Sequence, residues 1–254
     1  MPTIGLVAGF LLTAALYASV GFGGGSTYIA LLALAEIDYR LLPIIALLCN
    51  IIVVVGGTLR FHSRGLIDWS RVWPIVLLSV PAAWIGGLIA IEKDLFLLLL
   101  ALSLLLAALL LLLEPLMTER DRIVPGLNSN KWFPPLIGTG IGFLSGMVGI
   151  GGGIFLAPIL LLTNWADSRR IAATASLFIL VNSIAGLVGQ LMKSGVDPGG
   201  EALFEYWPLF IGVLAGGQIG SVLASRKLPD IWIRRLTAAL IFYVSIRILW
   251  QQIA

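Results

Sequence analysis

The sequence predicts an all-α integral membrane protein made of two inverted structural repeats, each a glycine-broken short-helix hairpin followed by three transmembrane helices. Three observations predict it. The 254 residues are 59% hydrophobic and only 11% charged, against roughly 25% charged in a soluble domain, so the chain cannot cover a water-facing surface. Its few charges divide it into long uncharged runs. One glycine-rich phrase, Val20-Gly-Phe-Gly-Gly-Gly25, returns 128 positions later as Val148-Gly-Ile-Gly-Gly-Gly153.

The apolar runs are continuous, as over residues 95–113, whereas a transmembrane barrel alternates apolar and polar residues over about ten positions. The net charge of +3 does not point to nucleic acid. The basic residues are scattered in short loops with no aromatic-interleaved basic stripe, and positive cytoplasmic loops explain the same excess. The single cysteine, Cys49, excludes an intrachain disulfide. No Lys or Arg precedes the first apolar stretch, so that stretch is expected to be a retained membrane segment.

The uncharged runs are residues 2–35, 41–59, 72–91, 95–113, 132–166, 171–192 and 206–225, followed by an apolar segment, 231–253, that contains Arg234, Arg235 and Arg247. A span takes about 20 residues, so five runs suit one helix each. The runs 2–35 and 132–166 are too long for one helix in a hydrocarbon core of about 30 Å. Each contains one glycine phrase, and consecutive glycines are poor helix interior. Each is therefore expected to be two short arms broken at the glycines: about 3–19 then 26–35, and about 135–147 then 154–163.

Lys and Arg placement tests this division. If each long run enters and leaves on one side, that side collects Arg60, Arg64, Arg71, Arg120, Arg122, Lys131, Arg169, Arg170, Arg226, Lys227, Arg234 and Arg235. The other side receives Arg40, Lys93, Lys193 and Arg247. The positive-inside rule favours this split of 12 against 4 over the 8 against 8 of single broken crossings. Both termini are then outside, in a multi-pass protein of the cell inner membrane.

Further echoes accompany the glycines: Asn50 and Gly57 return as Asn182 and Gly189, Trp73-Pro74 as Trp207-Pro208, Lys93 as Lys227, and Gly65-Leu-Ile-Asp68 resembles Gly195-Val-Asp197. Equivalent loops fall on opposite sides. Residues 1–113 thus read as the first inverted repeat, 114–131 as a cytoplasmic linker and 132–254 as the second inverted repeat.

Inverted repeats with discontinuous helices are typical of secondary transporters. The second arm of each hairpin starts at the glycines. Its first N–H groups lack intrahelical partners, and its N-terminus carries partial positive charge. With no side chain in the way, a small anion can approach the backbone. Two such ends make an anion site without Lys or Arg, which suits binding that must also release. The competing reading is close helix packing, but packing glycines recur every four residues rather than in triplets.

This pattern resembles the TauE/SafE family of membrane permeases, the sulfite-exporter-like or TSUP proteins, over essentially the whole chain. The resemblance rests on the twofold repeat, the glycine triplet early in each half and the Gly-x-x-Asp-like loop. The family's proline one turn after the triplet is present as Pro158, while the first half has Ala30, so the two half-sites are expected to be chemically unequal. The resemblance implies transport of sulfite, sulfonates or related organosulfur anions.

The expected substrate-binding residues are Gly23, Gly24, Gly25, Ser26, Thr27, Asn50, Gly151, Gly152, Gly153, Thr174, Ser176 and Asn182. Gln190 and Gln218 are more isolated polar residues. Tyr28, Trp73, Trp84, Trp132 and Trp207 read as interfacial anchors or packing. His62 reads as a surface residue, and no metal-ligand spacing is present. The reading is of a non-enzyme without cofactor, since no base lies in an apolar run beside Ser26. The expected partners are a small anion, the lipid bilayer and, if the carrier is coupled, protons. No ionisable residue lies deep in a run, so a coupling proton would travel on the substrate itself. The alternative is a passive anion channel using the same paired helix ends.

Overall fold

The computed structural model describes residues 2–113, 132–163, 165–193, 203–223 and 230–253. The linker expected at 114–131 and the echo at Gly195–Asp197 lie outside the described residues, as do Arg226 and Lys227. Ten helices account for most of the rest: α1 Ile4–Val20, α2 Gly25–Leu34, α3 Leu41–Ser63, α4 Trp69–Leu88, α5 Lys93–Leu113, α6 Phe133–Val148, α7 Gly153–Leu162, α8 Ser168–Met192, α9 Trp207–Leu223 and α10 Asp230–Ile253. Both long runs break at the glycine phrase. Among the described residues four helices, over Leu41–Ser63, Trp69–Leu88, Lys93–Leu110 and Ser168–Met192, are long and apolar enough to cross a membrane.

The boundaries follow local chemistry. The Thr3 hydroxyl caps α1 by accepting from the Leu6 N–H, and Asp167 caps α8 by accepting from Arg169 and Arg170. α1 and α6 end on Gly21 and Gly149, at φ +85° and +91°. This left-handed region is costly for any residue with a Cβ.

Helices from one half of the chain pack on helices from the other. α1 lies along α9 and α6 along α4, each pair running parallel. Gly212, Gly216 and Gly220 of α9 meet Val7, Leu11 and Ala15 of α1, and a Cβ added at Gly216 or Gly220 would strike the facing backbone carbonyl. Gly138, Gly142 and Gly146 of α6 meet Ile75, Ser79 and Ala83 of α4 in the same way. This four-residue spacing lets backbones approach closely where no hydrophobic force separates helix from lipid.

α3 and α8 run antiparallel through the middle. Leu47 lies against Gly186, and the hydroxyls of Thr58 and Ser176 are 2.9 Å apart. α5 packs on α10, which also touches α2. The large side chains Phe10, Tyr28, Leu104, Leu156 and Phe178 belong to one continuous buried core.

Two sets of contacts define the ends of the bundle. At one, Arg170 pairs with Asp68 at 3.8 Å and Arg71 donates to the Trp165 carbonyl at 2.9 Å. At the other, Arg247 pairs with Glu36 at 3.6 Å. Arg40 there lies close enough to Lys193 to hold its pKa down, adding to the larger effect of burial. Both groupings match the division of basic residues read from the sequence. Tyr28 does not sit at an interface: it is fully buried and stacked on Phe10 at 4.9 Å. Trp73, Trp84, Trp132 and Trp207 are exposed on the outer surface, and His62 is exposed with its ring edge against Trp69.

Candidate functional site

The two hairpins converge. α6 starts at the end of α4 that follows Asp68, and α7 finishes close to Trp165, so this hairpin leaves the bundle at the end where it enters. The α1–α2 hairpin does the same from the Glu36 end. Their turns lie beside Asn50, in the first half of α3, and Ile179, in the first half of α8.

The contact is close. A Cβ built on Gly25 would collide with the Ile150 carbonyl oxygen of the other turn and fall 2.5 Å from Asn50 Nδ2. One on Gly23 would fall 2.5 Å from Asn50 Oδ1, and one on Gly151 would collide with Asn50 Nδ2. Ile179 closes the far side, 3.1 and 3.2 Å from the same points on Gly23 and Gly151, and blocks any side chain at Gly153. Gly23, Gly24, Gly25, Gly151, Gly152 and Gly153 are all buried.

Gly24 and Gly152 are the N-caps of α2 and α7, at φ +86° and +77°, and neither has a side chain to cap the helix. Their carbonyls accept from Thr27 and Tyr28, and from Phe155 and Leu156. The N–H groups ahead of these belong to the first turn, where the helix offers no carbonyl. α1, α2, α6, α7 and α9 contain no charged residue, so helix ends and amides set the local field.

Asn50 joins the two turns. It is fully buried on α3, and its Nδ2 donates to the Ile150 carbonyl at 3.3 Å, while its Oδ1 has no hydrogen-bond partner among the described residues. Thr27 is buried and its hydroxyl lies 3.0 Å from the Tyr17 hydroxyl. Ser26 is buried in the first turn of α2.

The remaining expected site residues lie elsewhere on α8. Ser176 pairs with Thr58 near the Asp68 end. Thr174 is buried with its hydroxyl unpartnered among the described residues. The Asn182 amide donates to Ser79 Oγ at 3.1 Å and to the Phe178 carbonyl at 2.8 Å, which directs it toward α4 and its own helix. The residue that faces both turns from α8, as Asn50 does from α3, is Ile179.

The two half-sites are therefore unequal, an amide on one side and an aliphatic chain on the other. Gly151 also takes a left-handed φ of +86° that Gly23 does not, and Pro158 lies inside α7 where α2 has Ala30. Sequence reasoning missed Thr58 and Ile179. Thr58 follows Gly56-Gly57 as a polar residue in an apolar run, a signal of the kind that singled out Ser176. Ile179 carried no chemical signal. Gln190 is not isolated: its Nε2 donates to the Gly146 and Met147 carbonyls at 2.9 and 3.1 Å, capping the end of α6.

The family model described as sulfite exporter TauE/SafE matches residues 5–248. The chain belongs to the TauE/SafE family. A probable membrane transporter protein of Sinorhizobium fredii is 33% identical over 252 residues, covering 97% of this chain and 98% of that protein. A probable membrane transporter protein of Methanocaldococcus jannaschii is 28% identical over 132 residues, 49% of this chain and 46% of that one. No solved structure matches the chain. Membership of the TauE/SafE family, with its apolar helices, makes this a membrane protein.

Proposed function

We propose that the protein is a secondary transporter of a small sulfur-containing anion, sulfite or an organosulfonate, in the cell inner membrane. The observation that carries this reading is the meeting of two uncapped helix N-termini at Asn50 in a buried, uncharged setting. Each helix end favours an anion by about 0.3–2 kcal/mol, and charge-assisted N–H bonds add roughly 1.5–3 kcal/mol each. A few of them support about micromolar to millimolar affinity, weak enough for release. The family supplies the sulfur chemistry.

In this reading residues 1–113 and 132–254 are inverted repeats. The antiparallel run of α3 and α8 and the reciprocal pairing of α1 with α9 and α6 with α4 support it. The hairpins are re-entrant, both termini are outside and the Asp68 end is cytoplasmic, in keeping with the distribution of Lys and Arg. The turns touch, so substrate passes only when they separate, first toward one end and then toward the other. A coupling proton would ride on the substrate.

The test is uptake of radiolabelled sulfite into proteoliposomes with unlabelled sulfite on the opposite side, comparing wild type with Gly24→Val and Gly152→Val. Size-exclusion profiles confirm folding. Accelerated exchange that either substitution abolishes is expected of a carrier. Flux that neither saturates nor shows exchange would instead support a channel, and absence of flux for sulfite and for a panel of sulfonates would refute the sulfur-anion reading.

A further inference from the structure

The two ends of the Asn50 amide are not equivalent. The Ile150 carbonyl accepts from Nδ2, and only the NH2 side of an amide donates to a carbonyl, so that bond fixes the amide's orientation. Oδ1 is thereby turned toward Gly23, in the turn that leads into α2. It is fully buried and unpartnered among the described residues. Buried acceptors are almost always satisfied in folded proteins, and an unpartnered one at a site calls for an explanation such as a bound ion or ligand. Asn50 Oδ1 shares this state with Asn182 Oδ1 and Gln190 Oε1 but alone among these three lies against the turn that leads into α2.

The rest of the site supplies the opposite chemistry. The first turns of α2 and α7 present N–H donors with no side-chain cap. Each helix end is worth about half an elementary charge, so the pair is worth about one. A monoanion is balanced by this, whereas a dianion keeps about one uncompensated charge away from water, which is heavily penalised.

We infer that Asn50 is a specificity-determining residue, and that its Oδ1 selects singly charged oxyanions carrying their own hydrogen-bond donor. Hydrogensulfite is the type: one anionic face for the helix ends and one proton for the amide oxygen. Dianionic sulfite and sulfate fail on charge and on the missing donor. A simple alkylsulfonate fails on the donor alone, and a sulfonate qualifies only with an O–H or N–H within reach of Oδ1. This inference rests on the anion-transport reading above and narrows its substrate class.

The pH dependence follows from the ligand. The titratable side chains on the elements around Asn50 are Tyr17, Tyr28 and Cys49, phenols and a thiol that ordinarily ionise above pH 8. Arg60 and His62 on α3, and Arg169 and Arg170 on α8, lie toward the Asp68 end, at least ten residues from Asn50 and nine from Ile179 respectively.

The experiment is isothermal titration of the purified full-length protein with sodium sulfite, methanesulfonate, sulfate, hydrogencarbonate and nitrate, at pH 6 and pH 8. The Asn50→Leu variant is run in parallel. In wild type, sulfite at pH 6 is expected to bind about tenfold or more tighter than methanesulfonate, the order set by leaving a buried acceptor unpaired. Sulfite is expected to weaken at pH 8 while methanesulfonate does not change. Asn50→Leu is expected to bring the ratio close to one.

Methanesulfonate binding as tightly as sulfite at pH 6 in wild type would overturn the inference, and that result needs no variant to fold. A ratio unchanged in folded Asn50→Leu would also overturn it. If no sulfur anion binds but hydrogencarbonate exceeds nitrate in an Asn50-dependent way, the donor rule stands and the sulfur reading falls. If none of the five binds, both fall.

Discussion

Replacing Gly25 with alanine sets local preference against tertiary contact. Gly25 is the first residue of α2 and does not take a left-handed φ, so the backbone tolerates a side chain. In an open helix the change stabilises by up to about 1 kcal/mol. Here the new Cβ would meet the Ile150 carbonyl oxygen of the second hairpin and lie 2.5 Å from Asn50 Nδ2. One obstacle is backbone, and the other is an amide held by its own hydrogen bond to that carbonyl.

Overpacking of this kind costs about 1–3 kcal/mol, and with up to about 1 kcal/mol of propensity set against it the net change is a loss of up to about 2–3 kcal/mol. At about 2–4 °C per kcal/mol for a chain of this size, the melting temperature in detergent should fall by several degrees. Flux should fall more sharply, because the hairpins are forced apart at the site. Gly56→Ala is the control: Gly56 lies on α3 with nothing within 4 Å of its Cβ position, so that variant should melt at or slightly above wild type. A Gly25→Ala protein with wild-type melting and wild-type flux would show that the two turns do not touch, and the site would have to be abandoned.

Gly216→Leu should prevent accumulation of folded protein, because its Cβ faces the Leu11 carbonyl oxygen of α1, while Gly56→Leu should accumulate normally; fluorescence-detected size exclusion distinguishes them. Gln190→Leu leaves the Gly146 and Met147 carbonyls without their side-chain donor and should cost about 1–3 kcal/mol, read as a lower melting temperature. Asp68 has its carboxyl held below the usual range, first by the Ser70 hydroxyl and further by Arg71, against an opposing effect of burial. A depressed folded pKa contributes stability above the unfolded pKa that is lost as pH falls through the folded one. Wild type should therefore out-melt Asp68→Asn at pH 6, and the difference should shrink as pH falls below about 4, the unfolded carboxyl's range.

The hairpins and the long spans were legible because charge punctuation and glycine triplets act within a short stretch of chain. Gly24 and Gly152 break their runs for a reason visible in the sequence alone. The pairing of α6 with α4 and of α1 with α9 was not read, although its signal was present. Gly138, Gly142 and Gly146, and again Gly212, Gly216 and Gly220, carry the four-residue spacing of close helix packing. Spacing says that a face packs closely and not which helix it meets. The Asn182 placement shows a different limit. Matching residue type paired it with Asn50, but the position facing both turns from α8 is Ile179. Sequence similarity follows side-chain identity, whereas the site follows backbone position, and a three-residue difference on a helix moves a group by nearly a full turn.

The proposed alternating access turns on the contacts that join the halves at the two ends. At the Asp68 end the halves are tied by Asp68 to Arg170, by Arg71 to the Trp165 carbonyl, with the guanidinium 5.9 Å from the Trp165 ring centre, and by Thr58 to Ser176. At the other end Arg247 pairs with Glu36 across the halves at 3.6 Å, while Arg40 and Lys193 carry like charges toward each other. The exposed ion pairs at the Asp68 end are worth little singly, which suits contacts that break and reform. The Thr58–Ser176 pair is buried, eight residues along α3 from Asn50, and spans the antiparallel helices that flank the turns. A Thr58→Cys/Ser176→Cys protein places two thiols where hydroxyls now stand 2.9 Å apart. Oxidation should form a disulfide with high yield and stop flux, and reduction should restore it. Cys49→Ala controls for the native thiol. If the fully oxidised protein transports at the rate of the reduced one, α3 and α8 do not part at this end, and the proposed alternating access would have to proceed through movement of the hairpins alone.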